Sequence, residues 1–309
     1  MLSRSDLSVC ELSCRRNRAI KISKAVLASY PDSLRLWSAH AFLQRMRHKP
    51  DAASKVYETC LISKPTSSFM SSDQRASERA RMWLSWAEMQ WIRGAHTSSA
   101  RILCAAVDVT VPSDATDTRI ALLRSRRAYD GALKTGDVAI GVKACLVQCL
   151  ALLELIHSHD VTRALAVYAD YKSIIGASAS DSREFRIVDE RLAVASALLT
   201  YHHIHTLKNV CRPIVLRQHV GSLVPDFPGN SLLLGVWLES ERGEAIWGRV
   251  RTGIAETVLR EGGSIARSTT SRISMARWAW AVWVETWERS AWHAERARNV
   301  LRRALENTR

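Results

Sequence analysis

Residues 34–61 read LRLWSAHAFLQRMRHKPDAASKVYETCL, and the periodicity of this stretch decides the fold class. Trp37, His40 and Leu43 or Gln44 fall on one helix face. His48 to Asp51 reads as a short turn, after which Ala53, Val56, Tyr57 and Leu61 resume helical spacing. The pattern predicts two antiparallel helices that cross where small side chains let the backbones approach.

The same pattern recurs. Residues 81–107, RMWLSWAEMQWIRGAHTSSARILCAAV, place Trp83, Trp86 and Glu88 before a turn at Gly94 and a second helix led by Ala100. A weaker copy, LVQCLALLELIHSHDVTRALAVYADY, has Ala164, Val167 and Tyr168 in the second-helix positions. Near the C-terminus, ARWAWAVWVETWERSAWHAERARNVLRRAL carries Trp280, Trp283 and Glu285, a break near Ser290, then Ala297, Arg298, Val300, Leu301, Ala304 and Leu305. A helix pair cannot bury its apolar face alone, so stacked neighbours share a core. Large aromatics fill the space that the alanines open. The leading alanines, 53, 100, 164 and 297, are unevenly spaced, and 176–272 matches the pattern poorly.

The fold class expected is therefore all-α: an irregular superhelical array of antiparallel helix pairs over residues 31–309. Residues 1–30 form an N-terminal segment, helical or poorly ordered. With only 13 Gly and 7 Pro in 309 residues, turns are sparse. Loops are expected at 63–77, 108–117, 176–183, 222–230 and 261–272, each rich in Ser, Gly, Pro or Asp.

Five tryptophans between Trp278 and Trp292 admit three readings: a membrane-interface belt, a platform for nucleic-acid bases, or packing. With Trp280 at zero, Trp283 and Trp287 fall within about 60° of it, beside Val284 and Ala291. That stripe faces a core. No run of 18 apolar residues exists, and Arg277, Glu285, Glu288 and Arg289 surround the stripe, so no membrane is expected. Trp278 and Trp292 stay open to base stacking.

Charge separates further function classes. The net charge of +14 rests on 35 arginines and 9 lysines. Residues 1–150 hold 23 basic and 13 acidic residues, against 21 and 17 in 151–309. Such a balance attracts phosphate or acidic proteins, although arginine-rich composition also follows from GC-rich coding. The runs Arg15, Arg16, Arg18 and Arg124, Arg126, Arg127 are candidate contacts to nucleic acid or an acidic partner, or a nuclear-import patch. The bland alternative is a solvated helix face.

Catalytic signals are missing. No phosphate-binding GxxxxGK[ST] loop, dinucleotide GxGxxG, HExxH or GxSxG occurs. Seven scattered cysteines include Cys10 with Cys14 and Cys145 with Cys149 at i, i+4, and no CxxC pairs. Buried reduced thiols of an intracellular protein account for them. His202, His203 and His205 lie near Cys211 without a second ligand pair, and read as a polar helix surface. Glu88, Glu239, Glu241 and Glu285 recur after the aromatic positions and are expected to cap helices or pair with arginines of an adjacent helix. The expectation is a non-enzyme without cofactor or metal.

The pattern of Trp, then a polar residue, then Ala-Arg-x-Val with following Ala and Leu resembles the half-a-TPR (HAT) repeat. Together with Phe227, Pro228, Asn230, Leu233, Leu234, Glu241, Arg249, Val250 and Arg251, it resembles the C-terminal repeat region of the nuclear RNAi-defective (NRDE) family over residues 30–309. Trp247 and Gly248 replace the acidic residue that usually precedes the Arg-Val-Arg element. The family's members are longer, with a charged N-terminal region, and by the resemblance this sequence is expected to begin inside the repeat region. The resemblance implies a nuclear scaffold in RNA interference, heterochromatin silencing, splicing and exosome-linked RNA surveillance. Its partners would be an exosome-associated RNA helicase and splicing factors. The residues alone stop at a basic helical scaffold, nuclear or cytoplasmic, with direct RNA binding as the alternative and the oligomeric state open.

Overall fold

The computed structural model describes residues 18–63, 72–110, 115–135, 138–179, 183–227 and 230–240, together with Arg302. Every element among them is a helix. In order they are α1 (18–29), α2 (Leu34–Met46), α3 (Pro50–Glu58) with a π turn at Thr59–Ser63, α4 (Ser72–Ile92), α5 (His96–Ala105) and α6 (Ala115–Lys134). There follow α7 (Ile140–Ser158), α8 (Val161–Ala179), α9 (Arg183–Tyr201) with a π turn at His202–Thr206, α10 (Pro213–Leu223) and α11 (Ser231–Ser240). The chain forms two compact units, divided within α9 after Val188.

In the first unit α2 packs on α3, α4 on α5, and α7 on α8. α4 also meets α2, α3 and α7, and α6 packs on α5 and α7. Side-chain contacts fix the directions. Arg35 of α2 pairs with Glu78 of α4, joining their N-terminal turns. Gly141, at the start of α7, lies where a Cβ would stand 3.5 Å from Ser77 Oγ of α4. His96 and His159, just past the ends of α4 and α7, meet edge to face at 6.5 Å. α2, α4 and α7 therefore run parallel. α3 and α5 run the other way, since Arg93 bonds Asp51 at 3.0 Å, Gln90 bonds Ser54, and Ser99 Oγ donates to the Ala87 carbonyl at 2.8 Å.

The aromatic residues of α4 explain its central place. Tyr57 stacks on Trp86 at 6.1 Å and Trp86 on Trp83 at 5.8 Å, with Met82, Leu84, Met89 and Trp91 also buried. Ala53, Ala100 and Ala164 are buried at the partner positions. α7 is apolar nearly all round, the mark of a core helix. Its length and hydropathy would span a membrane, but 67% of its apolar window is buried inside the protein. Its polar members are satisfied: Gln148 donates to the Ala144 carbonyl and Glu154 pairs with Arg126.

Local chemistry sets the ends. Gly94 turns with φ +81°, the left-handed geometry that closes helices. His48 and His159 do the same with φ near +55°, a conformation histidine tolerates better than branched residues. Pro50 and Pro213 open α3 and α10, where no amide hydrogen is needed.

Three expected loops are shorter than their composition suggests. α4 already begins at Ser72, α6 at Ala115, and α8 continues to Ala179. Serine and aspartate favour helix starts as much as loops. Trp37 is half-exposed, its indole N–H donating to the Pro31 carbonyl at 2.8 Å, while Leu34, His40, Ala41 and Gln44 hold the buried side of α2.

In the second unit, Ala193 and Ala197 of α9 pack with Leu216, Val220 and Val224 and with Leu233, Leu234 and Val236 of α11. Phe227 packs against this core. Asn230 Oδ1 accepts the amides of Leu232 and Leu233, capping α11, and its Nδ2 donates to Glu190 at 2.9 Å. Pro228 lies outside the described residues.

Tyr57→Ala is expected to lower stability by about 3 to 5 kcal/mol through cavity formation, and Ala53→Leu by about 1 to 3 kcal/mol through overpacking. Urea denaturation followed by tryptophan fluorescence would measure both, and near-neutral effects would contradict the packing described.

Candidate functional site

α6 is bound to the first unit by a narrow face. Ala121, Ser125 and Tyr129, at i, i+4 and i+8, are all buried. Tyr129 Oη donates to the Leu103 carbonyl of α5 at 2.8 Å, and burial pushes this phenol well up from its ordinary pKa. Ser125 turns its hydroxyl back on the Ala121 carbonyl. With these residues inward, helical phase sends Ile120, Leu123, Arg127 and Lys134 outward. Ile120 is 43% and Leu123 51% exposed, and Arg119, Arg124, Arg127 and Lys134 are exposed around them.

Arg126 lies on the flank towards α7, where its Nε meets Glu154 Oε1 at 2.9 Å. The arginine is half-exposed and the carboxylate nearly enclosed. Next to this pair α6, α7 and α8 leave a cleft of 330 Å³, with Leu133, Leu150, Val167 and Tyr171 as its apolar surface and Lys134, Lys143, Asp130 and Asp170 as charged members. Tyr171 is buried, and its hydroxyl has no hydrogen-bond partner among the described residues. Burial, then the neighbouring Cys145, pushes its pKa up, so it stays a neutral donor at physiological pH.

The three arginines of the 124–127 run thus share a helix and separate in role. Arg124 and Arg127 are exposed, whereas Arg126 is engaged by Glu154. Arg18, in α1, is exposed, and Arg15 and Arg16 lie outside the described residues. Lys143 and Tyr171 escaped the sequence reading because no motif links them. Only the α6 to α8 packing does.

The other expected residues fall as follows. Trp83, Trp86 and Tyr57 are buried and Tyr168 is half-buried. Trp280, Trp283, Ala297 and Arg298 lie outside the described residues, as do Trp278, Trp287, Trp292, Glu241 and Glu285. Glu88 stands near Tyr57 and Tyr168 and adds to the upward shift that burial gives both phenols. Cys60, Cys104, Cys145 and Cys149 are buried and form no disulfide.

The histidine run corrects one expectation. His203 is buried, not on a polar surface, with Nδ1 facing Asn209 Nδ2 at 3.2 Å. It lies in the π turn at His202–Thr206. His202 bonds Thr206 and His205 lies on the Tyr201 ring. Among the described residues no group of three His, Cys, Asp or Glu is placed to hold a metal.

His219 carries a pH dependence. Ser196 Oγ gives its proton to the Ala193 carbonyl and stands 2.9 Å from His219 Nε2, which therefore donates. Burial lowers the His219 pKa from 6.5 to about 4. Between those values the unfolded chain binds the proton and the folded chain does not, so stability is complete above 6.5 and lost as pH falls towards 4. The span corresponds to about 3 kcal/mol. Denaturation at pH 7 and pH 4.5 should show His219→Gln with a shallower loss than the unsubstituted chain; equal losses would refute the assignment. No protein-family model matches the chain, and no curated protein matches it in sequence.

Proposed function

We propose that this chain is a non-catalytic scaffold, an irregular superhelical array of antiparallel helix pairs that holds protein partners in a nuclear RNA-processing assembly. The observation that carries the scaffold reading is the parallel run of α2, α4 and α7, each followed by a helix that packs back on it. Repeats stack in this way, with each first helix on the next and every interface buried by a neighbour. α6 is then an extra helix between the second and third pairs, which accounts for the wider spacing from Ala100 to Ala164 than from Ala53 to Ala100.

The RNA-processing part rests on resemblance. The Trp and Ala positions match the HAT pattern, and Phe227, Pro228 and Asn230 match the NRDE element. By that resemblance the assembly serves silencing, splicing and exosome-linked surveillance, with an exosome-associated helicase and splicing factors as partners.

A second reading, direct RNA binding, is favoured by one observation: Arg119, Arg124 and Arg127 are exposed on a single helix. Phosphate contacts would give a steep salt dependence. Gel shifts at low and moderate salt with Arg124→Glu/Arg127→Glu separate the readings, since RNA binding abolished by the pair favours the second and unchanged binding removes it. For the first, affinity purification from nuclear extract should recover a helicase with splicing factors. Recovery of cytosolic enzymes alone would refute it.

A further inference from the structure

We infer that the outward face of α6 and the adjoining cleft form a docking site for an acidic amphipathic peptide segment of a partner protein. This inference rests on the scaffold reading and specifies its surface. α6 exposes Arg119, Arg124, Arg127 and Lys134, with Arg126 on the flank towards α7 and the half-buried Asp130 at the cleft, so the face is complementary to a segment rich in carboxylates. Among these cations stand Ile120 and Leu123, one turn apart and about half-exposed. Aliphatic side chains offer nothing to a phosphate backbone, and the one aromatic ring of α6, Tyr129, is buried against α5. The face therefore has no stacking platform for bases. A helix with its own apolar stripe and flanking acids satisfies both features at once.

The cleft supplies the anchor. At 330 Å³ it is at the small end of ligand pockets, ample for an anchoring side chain, and it is lined on the α6 side by Arg126 and Leu133. Arg126 uses its Nε on Glu154, which leaves the two terminal nitrogens to donate elsewhere. Tyr171 lines the same cleft, and its buried hydroxyl has no acceptor among the described residues. A buried hydroxyl left unbonded is costly, and an acceptor on the anchor side chain removes that cost. Leu133, Leu150 and Val167 take the anchor's methylene groups.

Selection of random peptides of about 15 residues, roughly four helical turns, on the full chain tests the site. Selected peptides should interleave Asp or Glu with Leu, Ile or Phe at helical spacing. Affinity of one such peptide, read by fluorescence anisotropy, should fall about tenfold or more in Leu123→Glu/Arg127→Glu, whose exposed positions leave the thermal melt unchanged. In Tyr171→Phe it should fall about fivefold, the scale of one lost hydrogen bond, and Lys134→Glu gives an exposed second check at the cleft. Selection of nothing, peptides without acidic bias, or affinities indifferent to these substitutions would overturn the site. So would oligouridylate RNA binding that depends on Leu123 and Arg127 while peptides do not bind. Peptides that bind elsewhere would sink the site and leave the scaffold reading intact, because the nuclear purification judges that separately.

Discussion

The first unit depends on the space left empty at Ala41, Ala53, Ala87, Ala144, Ala151 and Ala164, each fully enclosed. Two helix axes approach closely only where side chains are small, and dispersion contacts are lost quickly with any gap. The alanines set that approach, and the rings of Tyr57, Trp86 and Trp83 fill what remains beside it. Once α4 and α7 are drawn together, α7 is enclosed on nearly every side and Glu154 goes in with it. A carboxylate in that position requires a cation, which Arg126 supplies from α6. The placement of the basic helix thus follows from the packing of its neighbours.

The same arrangement occurs twice. Arg35 reaches from α2 to Glu78 of α4, and Arg126 from α6 to Glu154 of α7. In both, the guanidinium stays in contact with water while the carboxylate is enclosed. An ion pair of this kind adds little net stability, yet removing its cation leaves an uncompensated buried charge. Such pairs act on register: a helix that slid by one turn would strand its glutamate.

The helix pairs were legible because their signal is periodic. Ala53 with Tyr57, and Trp83 with Trp86, repeat at spacings that only a helix turns into one face, and each is buried. α6 was harder to read. Hydrophobicity alone would bury Ile120 and Leu123, whereas the structure buries Ala121, Ser125 and Tyr129. The close approach to α5 and α7 admits small residues and one hydrogen-bonded ring, a tertiary demand that residue type does not announce. His203 is buried within a π turn that no composition marks, and Tyr171 and Lys143 share a cleft only after three helices have assembled. Glu78 and Glu154 pair with arginines of neighbouring helices, whereas the glutamates singled out by the repeat pattern are Glu88, Glu239, Glu241 and Glu285.

The parallel packing of α4 on α7 also bears on how the chain is made. α4 ends at Ile92 and α7 begins at Ile140, so a ribosome adding about 5 to 20 residues per second needs several seconds to deliver the second after the first. During that interval α4 has only α2, α3 and α5 for cover. The nascent chain therefore carries an α4 whose contact with α7 still awaits synthesis, and every residue added to the connection 93–139 would lengthen that wait.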